Sequence, residues 1–333
     1  MRVAMVLVSS VCLCCALAGC LPGQAGLLLS VVRGFRAAGC QGLPPEDRPI
    51  FAEVDCSGNT PCASGPIRVM TYNILCSICV NPDYDSWWVR LPHLREMLAQ
   101  YAPDIAGLQE LSSVYSVVDV LADAPEYGVL TYAPGVLTYA DATIIYRRDR
   151  FEVVESGHYW LSELPCSFPS GDLGSKMMRY VNWAHMRERN TGFQFLFIST
   201  HFDADKANRQ KSAHVLTEWL APLVGHVPMI VVGDFNCGPD SVGYATLQGG
   251  NGAAMRLENT WDVAVGRLAP PAEAPLDEAA FLATEKPIDH IFYAGPAVVT
   301  VDRWMRDKTT YGPNERAPSD HYPIIADLEL TMP

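Results

Sequence analysis

Six apolar segments of this chain each begin or end on a polar residue of a kind that does chemistry, and this recurrence constrains the fold more than any other feature. "IRVMTYN" ends at Asn73, "DIAGLQE" at Glu110 and "FQFLFISTH" at His201, while "PMIVVGDFN" ends at Asp234 and Asn236. "IDHIFY" starts with Asp289, and "SDHYPIIADLEL" with Asp320 and His321. Taken singly, each has a bland explanation: a turn cap, an Asx turn beside Gly233, a solvated strand end, a satisfied histidine. Taken together, they place amides, carboxylates and imidazoles on one edge of packed sheets, in one cleft.

Between Ile67 and Leu330, short β-type runs alternate with longer helical ones, so the expected class is α/β. The 333 residues, 49% hydrophobic and 18% charged, are enough to bury a substantial core. The net charge of −13 opposes bulk attraction to nucleic acid, because binding there rewards lysine and arginine at the phosphates. It leaves open a phosphate substrate approached through a bound cation. Residues 41–66 read as a linker rich in turn formers, and "APPAEAPLDEAA" near Pro270 reads as a surface loop.

The N-terminus reads as a targeting segment. Arg2 is the only charge before Arg33, and the apolar run after it closes on Leu17-Ala18-Gly19-Cys20. "LAGC" resembles the lipobox of bacterial lipoproteins. That resemblance implies removal of residues 1–19 and lipid on Cys20, in an exported, membrane-anchored protein; the patterning adds a tether over 20–66 and a domain over 67–331, and a monomer is expected. A retained apolar anchor is the alternative, since thirty uncharged positions run from Val3 to Val32.

Cys56 and Cys62 flank the turn-rich "SGNTP" and can close a small disulfide loop in an oxidising compartment. Cys76 and Cys79 have CxxC spacing without a second pair, which argues against a zinc site or thioredoxin chemistry. Cys237 reads as a buried thiol rather than a nucleophile. Trp87 and Trp88 read as packing residues, with stacking on a base or lipid as the alternative.

The elements "TYN", "GLQE", "STHFD", "VVGDFN", "IDHI" and "SDHYPI" together resemble the endonuclease/exonuclease/phosphatase superfamily, the deoxyribonuclease I-like hydrolases. The resemblance implies a four-layered α/β sandwich, with two packed, mainly antiparallel sheets flanked by helices. It also implies Mg²⁺, with Mn²⁺ as a substitute, and a phosphate-ester substrate. The chemistry asks for a divalent cation because a phosphate ester repels hydroxide and its alkoxide leaves poorly. By the same resemblance, Glu110 is the principal metal ligand, and Asn73 and Asp320 contribute directly or through water. His321, oriented by Asp289, binds a phosphoryl oxygen or transfers a proton, and Asp234 and Asn236 hold the attacking water. His201 protonates the leaving oxygen from the opposite side of the phosphorus. Arg179 and Asp203 are candidate substrate contacts or supports, although "THFDAD" departs from the "THLDH" of many relatives.

Two classes of function compete. A phosphoesterase, foremost a phosphodiesterase or nuclease, retains the whole constellation, with a sugar- or inositol-phosphate phosphatase or a sphingomyelinase-like lipid hydrolase as alternatives. A binding lipoprotein that kept the fold and lost catalysis would be expected to have lost part of that constellation. All eight polar positions are present, which favours the enzyme.

Overall fold

The structure is a computed structural model and describes residues 62–132, 139–162, 178–264, 266–268 and 287–333. The proposed signal segment, Cys20, Cys56, most of the tether and the proline-rich loop near Pro270 lie outside the described residues. Among the described residues, no helix is long and apolar enough to cross a membrane.

In chain order the elements are β1 (Ile67–Asn73), α1 (Trp87–Tyr101), β2 (Ile105–Gln109), α2 (Val114–Val120), β3 (Tyr127–Leu130), β4 (Thr143–Arg147) and β5 (Phe151–Trp160). There follow β6 (Tyr180–Glu188), β7 (Gln194–His201), α3 (Lys206–Leu220), a 3₁₀ turn (Ala221–Leu223), β8 (Met229–Asp234) and α4 (Val242–Leu247). The chain closes with β9 (Glu258–Asn259), α5 (Thr260–Val263), β10 (Gly266–Leu268), β11 (Asp289–Ala294), β12 (Val298–Arg306) and β13 (Ile324–Thr331). The first sheet has the order β10-β12-β13-β1-β2-β4-β3, and the second has β5-β6-β7-β8-β11-β9. Antiparallel pairs dominate; β1–β2, β7–β8 and β10–β12 are the parallel ones.

Strand alternation builds the layers. Side chains two apart share a face, so Ile67 and Val69 on β1, Phe195 and Phe197 on β7, and Ile230 and Val232 on β8 form a core between the sheets. The other phase faces outward: Met70, Tyr72 and Leu108 pack beneath α1 and α2, and Leu196, Ile198, Met229 and Val231 beneath α3. The result is helix, sheet, sheet, helix, the four-layered sandwich expected from the sequence. Truncating an inner aromatic such as Phe197 to alanine would cost about 3–5 kcal/mol, because the cavity adds to the lost transfer energy.

Following the inner phase to the strand ends explains the site. Asn73, His201, Asp234 and Asp289 continue the periods of Val69, Phe197, Val232 and Ile291, so the core face itself turns polar at one edge. Pairing brings them into line, since Asp234 lies opposite His201 in one ladder and Asp289 in the other. Just below, the sheets approach so closely that a Cβ on Gly107 would meet Ser199 Oγ at 2.5 Å and Val232 at 2.6 Å. Only glycine fits there.

Two boundaries differ from the sequence expectation. β13 starts at Ile324, after Pro323, so Asp320 and His321 belong to the preceding loop. The last residues of the expected tether pack on the domain: Ser64 N–H donates to Leu330 O, and Met332 N–H to Cys62 O. Cys62 is disulfide-bonded.

Candidate active site

The carboxylate of Asp234 is the hub of the polar edge. It is 1% exposed. Asn73 Nδ2 donates to its Oδ2 at 3.0 Å, and Asn236 N–H to its Oδ1 at 2.9 Å. Two imidazoles reach the same Oδ2: His201 Nε2 lies 3.4 Å away and His321 Nε2 3.6 Å away.

Each histidine has its own carboxylate behind it. His321 Nδ1 donates to Asp289 Oδ2 at 2.8 Å. Burial opposes a charged ring here, but Asp289, with Asp234 and Asp320, outweighs it, and the His321 pKa is pushed up to about 10. His201 Nδ1 lies 3.0 Å from Asp141 Oδ2. Its pKa is also raised: burial and Arg179 work against the charge, while Asp141 and Asp234 favour it. Arg179 Nη1 sits 2.7 Å from the same ring nitrogen and 3.2 Å from Asp141 Oδ2. A neutral ring accepts from Arg179, whereas a charged ring gives that hydrogen to Asp141.

Sequence reasoning missed Asp141. It is 4% exposed and also accepts from the backbone N–H groups of Glu110 and Ala142. Burial works against its charge, yet His201, Arg179 and the Glu110 N–H hold its carboxyl well below the usual carboxylate range. The missed signal was the rule used elsewhere: "DATIIY" is a further apolar strand preceded by an acid. Arg90 and Ser319 were missed as well. Arg90, 1% exposed, donates to the carbonyls of Ile74, Leu75, Cys76, Asp85 and Pro318, clamping the loop after β1 to the loop before β13. Ser319 Oγ donates to Asn73 O at 2.7 Å and joins the same two segments.

Glu110 stands beside the hub, with Oε1 accepting from Asn73 Nδ2 at 3.1 Å and Oε2 from Cys76 N–H at 3.1 Å. Its φ of 65° and the 50° of Asn236 lie in the left-handed region that non-glycine residues avoid, and such strain tends to be kept where function requires it. Asn73 Oδ1 accepts from Leu75 N–H, so its amide presents hydrogens to Glu110 and Asp234. In this orientation it positions the carboxylates, and contact with a metal would run through water. Asp320 reaches solvent at the mouth. The protein around its carboxyl, and then the charge of Glu110, raises its proton affinity, whereas His321 lowers it.

The donor set fits a hard divalent cation. Glu110 and Asp320 supply oxygen atoms, and the Asp234, Asp289 and His321 group also offers converging ligand atoms. Cys76 and Cys79 converge with Glu110 too, but they are bonded to each other and offer no thiolate. Cys237 is buried, and burial pushes its thiol up to about 11, the opposite of what a nucleophile needs. Asn236 Nδ2 donates to Phe202 O, and Asp203 accepts from Asp205 N–H and Asn208 Nδ2 at the start of α3. The tryptophan pair divides: Trp87 is buried and donates to Asp119, and Trp88 is 70% exposed.

Comparison with known proteins shows what the chain is similar to. The family model described as "Endonuclease/Exonuclease/phosphatase family" matches residues 70–321. Nocturnin of Drosophila melanogaster is 26% identical over 327 residues, covering 83% of this chain and 48% of its own length, so the chain spans about half of that curated relative. A solved endonuclease/exonuclease/phosphatase family protein from Bacteroides thetaiotaomicron superposes with a TM-score of 0.68 at 28% identity, over 81% of this chain and 96% of its own. A mannosyl-6-phosphatase from the same organism superposes with a TM-score of 0.67 at 28% identity, over 79% of this chain and 99% of its own. With most of the folded region matched, this chain belongs to the endonuclease/exonuclease/phosphatase family.

Proposed function

We propose that this protein hydrolyses a phosphate ester by water attack at phosphorus, with Mg²⁺ or Mn²⁺ held by Glu110 and Asp320. The observation that carries the reading is the convergence of two histidine–carboxylate pairs on Asp234, whose Asn73 amide is shared with the carboxylate of Glu110. When bound, the cation supplies charge neutralisation at the phosphate.

The residues of the chain divide the remaining work. Asp234, fixed by Asn73 and Asn236, orients the attacking water and accepts its hydrogen bond. His321, kept protonated by Asp289, donates to a phosphoryl oxygen and stabilises the charge that grows there. His201, backed by Asp141 and Arg179, delivers a proton to the leaving alkoxide. Arg179, 14% exposed and already bound to Asp141, acts in this scheme on the His201 pair more than as an independent phosphate fork.

Phosphodiesters and nucleic acids are one substrate class. Small phosphate monoesters are the other, favoured by the acidic net charge of −13 and by the activity named for the mannosyl-6-phosphatase. Purified protein assayed with Mg²⁺ and with EDTA against plasmid DNA, RNA, hexose phosphates, inositol phosphates and sphingomyelin tests the reading and sorts the classes. Turnover of none of them would overturn it. Lipid on Cys20 would hold the enzyme at a membrane outside the cytoplasm as a monomer, and a Cys20→Ala protein should then take up no labelled fatty acid. A wild-type protein without label would remove that placement.

A further inference from the structure

The loop after β1 closes on itself through the Cys76–Cys79 disulfide, whose Cα atoms are 5.2 Å apart. Its two ends stand differently toward solvent, since Cys76 is buried and Cys79 exposed. A dithiol therefore reaches the bond through Cys79 Sγ. One thiolate of the reductant bonds that sulfur and expels Cys76 as a thiolate, and the other closes the reductant's own disulfide and releases Cys79. Two electrons and two protons pass from the dithiol to the pair, which ends as two thiols.

Other restraints on the loop survive that step. Arg90 holds the carbonyls of Ile74, Leu75 and Cys76. Ser77 donates to Ser112 Oγ through its N–H at 2.8 Å and its hydroxyl at 3.0 Å, and Ser112 follows Glu110 by two residues. Cys79 N–H donates to Cys76 O at 3.2 Å, and Cys76 N–H to Glu110 Oε2 at 3.1 Å. Reduced, the two thiols stay beside Glu110.

Two sulfurs and one carboxylate oxygen lie within 4.8 Å of one another, near the spread set by one tetrahedral ion with bonds of about 2.0–2.3 Å. Cys76 supplies its sulfur from the buried side, while Cys79 and the partly exposed Glu110 open the way in. Tyr139 Oη donates to Cys76 Sγ at 3.9 Å, the kind of outer contact that orients a ligand.

We propose that reduction turns this loop into a Zn²⁺ site, with Cys76, Cys79 and Glu110 as ligands and water in the fourth position. The ion displaces the two thiol protons, which pass to water. Thiolate sulfur selects Zn²⁺ or Cd²⁺ over the hard Mg²⁺. Glu110 then faces two claims. Resting on the phosphoesterase reading above, zinc at the reduced loop takes the carboxylate that holds the hard cation and silences hydrolysis. The oxidised loop has no thiolate to give and leaves Glu110 to Mg²⁺.

Co²⁺ reports on the binding, because thiolate ligands give it a charge-transfer absorption that oxygen ligands do not. The purified full chain, reduced with dithiothreitol and freed of it without air, should bind Co²⁺ with that absorption, and Zn²⁺ should erase it. The oxidised chain should show none. The double variant Cys76→Ser/Cys79→Ser keeps every other cysteine and should lose the absorption, and Cys79→Ser alone, at an exposed position, should weaken it. Glu110→Gln should need at least about tenfold more Co²⁺, since even changes around a metal's ligands cost roughly 10–100-fold in affinity. No absorption in the reduced chain, an unchanged one in Cys79→Ser, or an equal Co²⁺ requirement in Glu110→Gln would overturn the proposal. In the second arm, one Zn²⁺ per chain under saturating Mg²⁺ should lower the initial rate at least about tenfold in the reduced chain and less than about twofold in the oxidised one, because only the former offers thiolates. An unaffected rate in a reduced chain that binds zinc would overturn the competition for Glu110. A chain that binds Co²⁺ in this way yet hydrolyses no phosphate ester would sink the phosphoesterase reading alone.

Discussion

The two histidine–carboxylate pairs at the site are built from opposite sheets in opposite sense. In one, the histidine comes from the second sheet (His201, β7) and the acid from the first (Asp141, before β4). In the other, the histidine comes from the first sheet (His321, before β13) and the acid from the second (Asp289, β11). Both meet Asp234 Oδ2. They differ in surroundings. The His201 side chain is 3% exposed and has Arg179 against it, and that of His321 is 15% exposed and has acids around it. The cation beside His201 makes its proton easier to give up, while the acids beside His321 make its proton harder to remove. That contrast suits a proton donor to the leaving group on one side and a persistent positive charge on the other.

The contrast can be broken most forcefully at its hub. Asp234→Asn should lower kcat by roughly 1,000-fold while circular dichroism stays near wild type, because the change removes the charge both imidazoles face and preserves shape. Folded protein with near-wild-type turnover would refute the hub. Next in size, His321→Ala should lower kcat by at least about 100-fold, a loss read in steady-state kinetics.

Asp141→Asn separates the pairs. It should cost about 3 kcal/mol in denaturant unfolding, since it leaves Arg179 beside His201 without its counter-charge, and should lower kcat by about 10- to 100-fold. A stable, fully active variant would show that the buried pair is idle. The gentlest probe is Asp289→Asn in the metal-free protein. The raised His321 value means that the stability from this pair is complete below about pH 6.5 and lost as pH rises through about 10. Without Asp289, NMR titration of His321 should move down toward the ordinary histidine value. An unmoved titration would assign the shift to Asp234 and Asp320 instead.

The difference between the pairs also explains what could be read from the sequence. Asp289, Asp320 and His321 stand in short motifs next to long apolar runs, so strand period and motif order expose them together. Asp141 precedes a strand of only five residues and acts on a histidine sixty positions later in the other sheet. That pairing is set by how the sheets stack, which local pattern does not encode. The same holds for Arg90, whose place in a helix next to tryptophans gives no hint that it clamps two loops. Strand phase pointed Asp203 at the site, whereas the strand ends at His201 and the carboxylate accepts from Asp205 N–H and Asn208 Nδ2 at the next turn. The α/β class was legible in the alternating apolar and helical runs and the four layers through the family resemblance, whereas the close approach at Gly107 was not, since it depends on Ser199 and Val232 across the gap.

The central claim is that this polar edge hydrolyses phosphate esters with a divalent cation at Glu110. Its most direct test is Mg²⁺ titration of initial rates for EDTA-stripped wild type and Glu110→Gln on whichever phosphate ester turns over best in the substrate panel. Stripped wild type should be inactive and recover on adding Mg²⁺, and Glu110→Gln should need at least about tenfold more Mg²⁺ for half-maximal rate, because a neutral amide replaces the charged ligand. Full activity in rigorously stripped protein, or identical Mg²⁺ curves for the two, would contradict the account.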